Sequence, residues 1–390
     1  MSHFALRAVG VFLLLLTHHC PLYACAWDRD TLEAEAKGIP EVMQIITGRF
    51  ERNPDLFYEM RLQRVTQEIA QSPDKLELYD DAGMASDRLH RGDEAIAWMH
   101  KKQATMRNWK GDTKVLKEHR YRYLANQGTF IAHRWLRDGA DRKRIGEMKQ
   151  ARNLIAEAIE LNPDAHFGRE KYQLKMMEWI IAPPEVKKND ILPSVADTFE
   201  SSSSPEPKNV ADAVKGLSGI IVLGDAWQSV DTFYALSSLL SEYDQRNSVA
   251  YLADLRTKEL IKSGKRSILP TAPNGEALIA LMDERGIPEQ TIQYADKVAE
   301  KYKLLRAEAN QWHTKRTAYM IERLKAGRHP DTDKDFWNEW QEPSSPSLYI
   351  QTAEDIFYVQ LKWGVAIAAI AIIGLWIGLT RRHKKRKAAF

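Results

Sequence analysis

Between its two ends, this chain is patterned almost throughout with apolar residues three and four positions apart, and its glycines and prolines fall between those stretches. Residues spaced that way share one side of a helix, whereas a half-buried strand needs strict alternation. The expected fold class is therefore all-α. Pro40 and Pro54 open two early helices, which end near Gly48 and Pro73. Further along, Val210, Val214, Leu217 and Ile221 form one stripe. A second stripe is Val230, Phe233, Leu236, Leu240 and Tyr243, and a weaker third, Val249 to Leu260, stops at Gly264.

The clearest unit is LELYDDAGMASDRLHRGDEAIAWMHKK, Leu76 to Lys102. Tyr79, Ala82, Gly83 and Leu89 mark one helix, a turn follows at Arg91-Gly92, and Ala95, Ile96 and Met99 line a second helix. Gly83 and Ala95 are small residues twelve positions apart, each four positions from a bulky one, which lets the two helices approach closely. That spacing resembles the tetratricopeptide repeat (TPR). A second, looser match pairs YLANQGTFIAHRWL, with Leu124, Gly128, Ile131 and Trp135 on one stripe, with ARNLIAEAIELNPDAHFGRE. There Ala151, Ile155, Ala158 and Pro163 keep the spacing of the repeat's second helix. Gly128 and Ala151 lie 23 apart rather than twelve, an added eleven residues or almost three helical turns, so the apolar face stays in register. The resemblance implies helical hairpins over residues 27–182 and, in such folds, an inward surface of first helices that binds peptide segments. The repeat phase places Asp80, Asp87 and Arg88 on that surface, with His133 from the second unit. Arg134, Arg137 and Arg169 are suited to reading a partner's carboxylates through paired N–H donors, and His166 lies beside Arg169.

PSVADTFESSSSPEPKN, within 183–209, reads as a linker with little to bury. A second helical block follows over 210–340. Its last helix carries a short heptad seam, Ala295, Val298, Tyr302, Leu305, Ala309 and Trp312, suited either to packing on its own domain or to pairing two copies. Residues 341–357 form a juxtamembrane linker.

The ends speak about location. Trp363 to Thr380 contains no charged residue, and at 1.5 Å per residue its length approaches the roughly 30 Å of a hydrocarbon core. The basic run Arg381 to Lys387 follows, so 358–380 is expected to span a membrane with 381–390 on the cytoplasmic side. At the other end, Arg7, the apolar stretch Ala8 to Leu16 and Ala24-Cys25-Ala26 have the order of a cleaved signal peptide over 1–26. Leu22-Tyr23-Ala24-Cys25 also resembles a lipoprotein acylation site, with Tyr23 departing from its usual small residue. The only cysteines, Cys20 and Cys25, fall within that leader, so the exported part has no disulfide or thiol metal site. These features fit a single-pass protein of the inner membrane in a bacterial cell envelope, with a periplasmic ectodomain. A sorting signal lying just before the span is not recognisable.

Charge and motif exclude several classes. The net charge is +3, but the tail's six basic residues, Arg7 and Lys362 supply eight positive charges, leaving −5 for the ectodomain, which has no basic footprint for nucleic acid. No H-E-x-x-H, P-loop or G-x-G-x-x-G pattern occurs. Ser72-Pro73-Asp74-Lys75 matches S-x-x-K only in a helix-starting turn, without its companion motifs. No cofactor, metal or catalytic residue is expected. The sequence points to a scaffold or adaptor that binds a protein or peptide. The alternative is an envelope-acting enzyme or enzyme subunit with a dispersed active site in the second block.

Overall fold

The computed structural model describes residues 27–29, 40–163, 169–186, 191–199, 210–224, 226–243, 248–285, 295–347 and 362. The leader 1–26 and the apolar run 358–380 lie outside the described residues. Among those described there is no strand, and no helix is long and apolar enough to cross a membrane.

The helices follow in the order α1 (Val42–Thr47), α2 (Asp55–Gln71), α3 (Leu76–Arg88), α4 (Gly92–Asn108), α5 (Thr113–Arg137), α6 (Ile145–Leu161) and α7 (Arg169–Ile181). Then come α8 (Ala196–Phe199), α9 (Val210–Gly224), α10 (Val230–Tyr243), α11 (Ser248–Lys262), α12 (Glu276–Arg285) and α13 (Ala295–Lys325). Local chemistry sets several boundaries. Asp112 caps α5, its carboxylate accepting from the Lys114 and Val115 amides at 2.7 and 3.2 Å. The turn after α3 carries His90 in the left-handed region (φ 59°), where the sequence expects the break at Arg91-Gly92. Gly48 ends α1 at φ 87°, and a Cβ there would also lie 2.7 Å from the Trp227 ring, so glycine is required for both backbone and space.

From α2 to α7 each helix packs against the next, and α3 also packs against α5, its second neighbour. Small residues make the contacts close. A Cβ on Gly83 would meet the Phe130 ring at 2.8 Å, and one on Gly128 would meet the Ala151 carbonyl oxygen at 2.9 Å. Ala95 and Ala151 are fully buried. All four small positions thus lie at helix contacts.

The buried core does not stop at the linker. One cluster runs from Ile45 through Tyr79, Trp135, Ile155 and Trp179 to Leu217, Phe233, Leu252 and Tyr302. Helix α9 rests on α7, where Gly216 faces the Tyr172 ring, and on α1. Part of the expected linker is itself packed: Leu192, Val195 and Ala196 are buried, Tyr234 donates to the Leu192 carbonyl at 3.1 Å, and Phe199 sits edge-on to Tyr172. These apolar residues precede the serine run, and composition averaged over the stretch conceals them.

Helix α13 closes the molecule by lying on α11, α1 and α2. Its seam residues Val298, Tyr302, Leu305, Ala309 and Trp312 are buried, so that stripe is occupied within the chain rather than presented to a second copy. Arg316, which breaks the seam, is buried too, donating to Glu51 at 2.8 Å beneath the Trp337 ring. The segment after α13 then folds back onto the start of the chain. Arg49 bonds the Pro343 carbonyl and pairs with Glu308 and Glu342, while Gln44 donates to Ser345 at 3.1 Å.

Candidate functional site: two polar rungs between α3 and α5

Asp80 and Asp87 are seven residues apart on α3, as are Asn126 and His133 on α5, so each pair shares a helix face two turns apart. The faces meet in register. Asn126 Nδ2 donates to Asp80 Oδ1 at 3.0 Å, and His133 Nδ1 lies 2.7 Å from Asp87 Oδ2. Both rungs join residues 46 apart, so α3 and α5 run parallel with a constant offset.

The first rung continues into α4, where Lys102 Nζ donates to Asp80 Oδ2 at 2.5 Å. Both side chains are buried. Burial pushes the Asp80 carboxyl up and the Lys102 ammonium down, and their mutual attraction opposes both shifts. Removing either partner would leave the other stranded in the core. His119 borders this pair, and burial, helped by Lys102 and Arg122, lowers its pKa to about 4, so its ring is neutral at pH 7.

The second rung carries more charge. Asp87 Oδ1 also accepts from Arg137 Nη1 at 2.7 Å. Burial pushes this carboxyl up, but Arg137 and His133 outweigh that and hold it well below the usual carboxylate range. Asp87 and His133 are both shut away from solvent, and their contact ties α3 to α5.

The structure thus brings together Asp80, Asp87, His133 and Arg137, but inside the array and not on an open surface. The repeat phase expects Asp80, Asp87 and His133 on an inward surface; here they lie on the face between α3 and α5. That face is closed because α5 sits directly on α3. Arg88, at the end of α3, is half-buried and donates to the Leu223 carbonyl of α9. Arg134 is also half-buried and bonds Asp93 at 2.7 Å and Glu147 at 2.9 Å. Arg169 is buried on α7, next to Glu170, whose carboxylate accepts from the Tyr121 hydroxyl at 2.9 Å. His166 lies outside the described residues.

Sequence reasoning passed over a third buried cluster. Arg61 is fully buried, stacks over Phe57, and holds Asp331 through two hydrogen bonds, Nε at 2.8 Å and Nη2 at 2.5 Å. Its Nη1 lies 3.3 Å from Asp28 Oδ2, and Arg64 also pairs with Asp331. Burial raises the Asp331 carboxyl, but Arg61 and Arg64 override it and hold it far below its usual range. His329 stacks on Phe57 with ring centroids 4.6 Å apart, and its Nε2 lies 3.0 Å from the Phe57 carbonyl. The sequence did hold a signal for Arg61 here and for Lys102 of the first rung. Arg61 belongs to the stripe Phe57, Arg61, Val65, and Lys102 to the stripe Ala95, Met99, Lys102. A cation at an apolar position of a helix marks a buried ion pair.

Among the described residues no group of three His, Cys, Asp or Glu side chains is placed to hold a metal ion. Comparison with known proteins finds no counterpart: no family model, curated protein or solved structure matches this chain.

Proposed function

We propose that this protein is an exported, membrane-anchored helical-repeat adaptor, of TPR-like construction, that binds another protein in the bacterial cell envelope. The observation that carries this reading is the constant 46-residue offset of the two α3–α5 rungs, together with small residues at Gly83 and Gly128. Helical hairpins stacked with a fixed offset are a construction suited to extended recognition surfaces. The polar residues at its centre are consumed in holding helices together. Arg88 and Arg134, half-exposed at the ends of α3 and α5, are the marked residues that a partner reaches. The apolar run and basic tail at the C-terminus support anchoring, and the acidic ectodomain favours a protein partner over nucleic acid.

Photo-crosslinking groups placed at positions 88 and 134 of the full-length protein in intact cells test this proposal. One or more discrete envelope proteins captured from both positions is the expected result. Recovery of the chain alone, across growth conditions, would overturn it.

A further inference from the structure

We propose that residues 27–29, Trp-Asp-Arg, sit in the fold as a bound ligand, in a site built to take a short segment of aromatic–acidic–basic order. A partner's segment of the same chemistry enters by displacing them. The displacement half rests on the adaptor reading; the occupancy half does not.

Trp27 and Asp28 precede a helical residue, Arg29, and each of the three is read separately. Asn126 grips the main chain of Trp27 from both directions: its Oδ1 accepts from the Trp27 amide, and its Nδ2 donates to the Trp27 carbonyl at 3.0 Å. The indole is only 5% exposed, edge-on to Tyr121 at 5.4 Å and beneath the Arg122 guanidinium. Asp28 is buried against Arg61. Arg29 donates its main-chain amide to Asp81 Oδ1 at 3.2 Å and its Nε to Asp81 Oδ2 at 2.8 Å, and its guanidinium lies 3.7 Å from Asp331. The receiving side chains come from α2, α3, α5 and the turn at 331, so four separate parts of the chain converge on three residues.

Three of those side chains, Arg61, Asn126 and Tyr121, are also held by groups outside the segment. Asp331 fixes Arg61 with two bonds, Asp80 orients Asn126, and Glu170 orients Tyr121. A site whose walls are anchored elsewhere is preorganised, which lowers the ordering cost that a ligand must overcome. The chain returns to the described fold at residue 40, so the segment is tethered and acts at the high effective concentration of an intramolecular ligand. Cutting that tether exposes the intrinsic affinity of the site.

The experiment uses the full-length protein with a protease recognition sequence inserted between residues 30 and 39, cleaved after folding and purification. Retention of the N-terminal fragment on dilution is followed by native mass spectrometry. Uptake of a labelled Trp-Asp-Arg-Asp peptide is followed by fluorescence anisotropy, with far-ultraviolet circular dichroism as the check on folding. The expected result is that the fragment leaves on dilution, helicity is retained, and the peptide binds saturably. An order-scrambled Arg-Asp-Asp-Trp peptide should not bind, and Asn126→Ala should weaken binding about tenfold by removing the main-chain grip. The proposal is overturned if the fragment never exchanges, if its departure collapses the helices, or if the scrambled peptide binds equally well. Failure here alongside crosslinked partners at 88 or 134 would remove this site and leave the adaptor reading standing.

Discussion

The helices from α3 to α6 and those from α9 to α11 share one core but bury their polar groups differently. In the first region buried charges pair between helices: Asp80 with Lys102, and Asp87 with His133 and Arg137. In the second, buried hydroxyls are more numerous, and the buried charges Asp254 and Arg256 pair with Lys258 and Glu259 of their own helix. Thr257 donates to the Ala253 carbonyl one turn back at 2.8 Å, and Ser229 caps the start of α10 by accepting from the Thr232 amide at 3.2 Å. A hydroxyl that bonds a nearby carbonyl satisfies itself and specifies little about its neighbours. A buried charge pair satisfies itself only when two helices adopt one register, and breaking it leaves an uncompensated ion. The first region is therefore fixed by partner choice and the second by shape.

The largest expected effect breaks a pair. Lys102→Met should lower stability by about 3–5 kcal/mol, because Asp80 remains buried without its cation. The double variant Asp80→Leu/Lys102→Met should recover a large part of that loss in denaturant titration. If the two single losses simply add, the pair is not coupled and the contrast between regions fails.

Next in size is an electrostatic term of the second region that runs with pH in the opposite sense. Asp231 is buried, and burial lifts its carboxyl to about 6 against the hydrogen bonds it receives from Ser267 and the Ile268 amide. Its folded pKa lies above the unfolded one near 4, so the folded state holds the proton more tightly. This contribution favours folding at pH 4, fades as pH rises through 6, and is a penalty of up to about 3 kcal/mol at neutral pH. Asp87 works the other way: its depressed pKa supplies stability above pH 4 that is lost on acidification. The stability of Asp231→Asn relative to the parent should therefore rise between pH 4.5 and 7.5, measured by denaturant midpoints at each pH. A flat difference would mean that Asp231 titrates normally.

Smaller effects test shape. Gly128→Ala puts a methyl against a main-chain oxygen at 2.9 Å and should cost about 1–3 kcal/mol, since backbone must move. Gly146→Ala, with no neighbouring atom within 4 Å of the new methyl, should instead stabilise α6 by a few tenths of a kcal/mol. Equal effects at the two sites would show that close helix approach at Gly128 plays no part in stability.

These contrasts also explain what the residue order discloses. Periodicity and breakers were enough for the all-α class, for the turn at Arg91-Gly92 and for the small residues at Gly83 and Gly128, because each is set within a few residues. Helical phase also placed Asp80, Asp87 and His133 on one inner face. It could not show that α5 covers that face, since closure depends on a contact 46 residues away. The Arg61–Asp331 pair spans 270 residues and has no local signature beyond one cation on an apolar stripe. The serine-rich character of 183–209 likewise concealed a short packed segment, because Leu192, Val195 and Phe199 are few among many polar neighbours.

Hydrogen exchange on the intact protein tests most directly whether charge-paired and hydroxyl-lined regions form one folding unit. The continuous core predicts that buried amides of α5 and α10 open together, with the same free energy and the same denaturant dependence. Two separate openings, with α10 exchanging while α5 stays protected and the boundary falling within 183–209, would contradict a shared core.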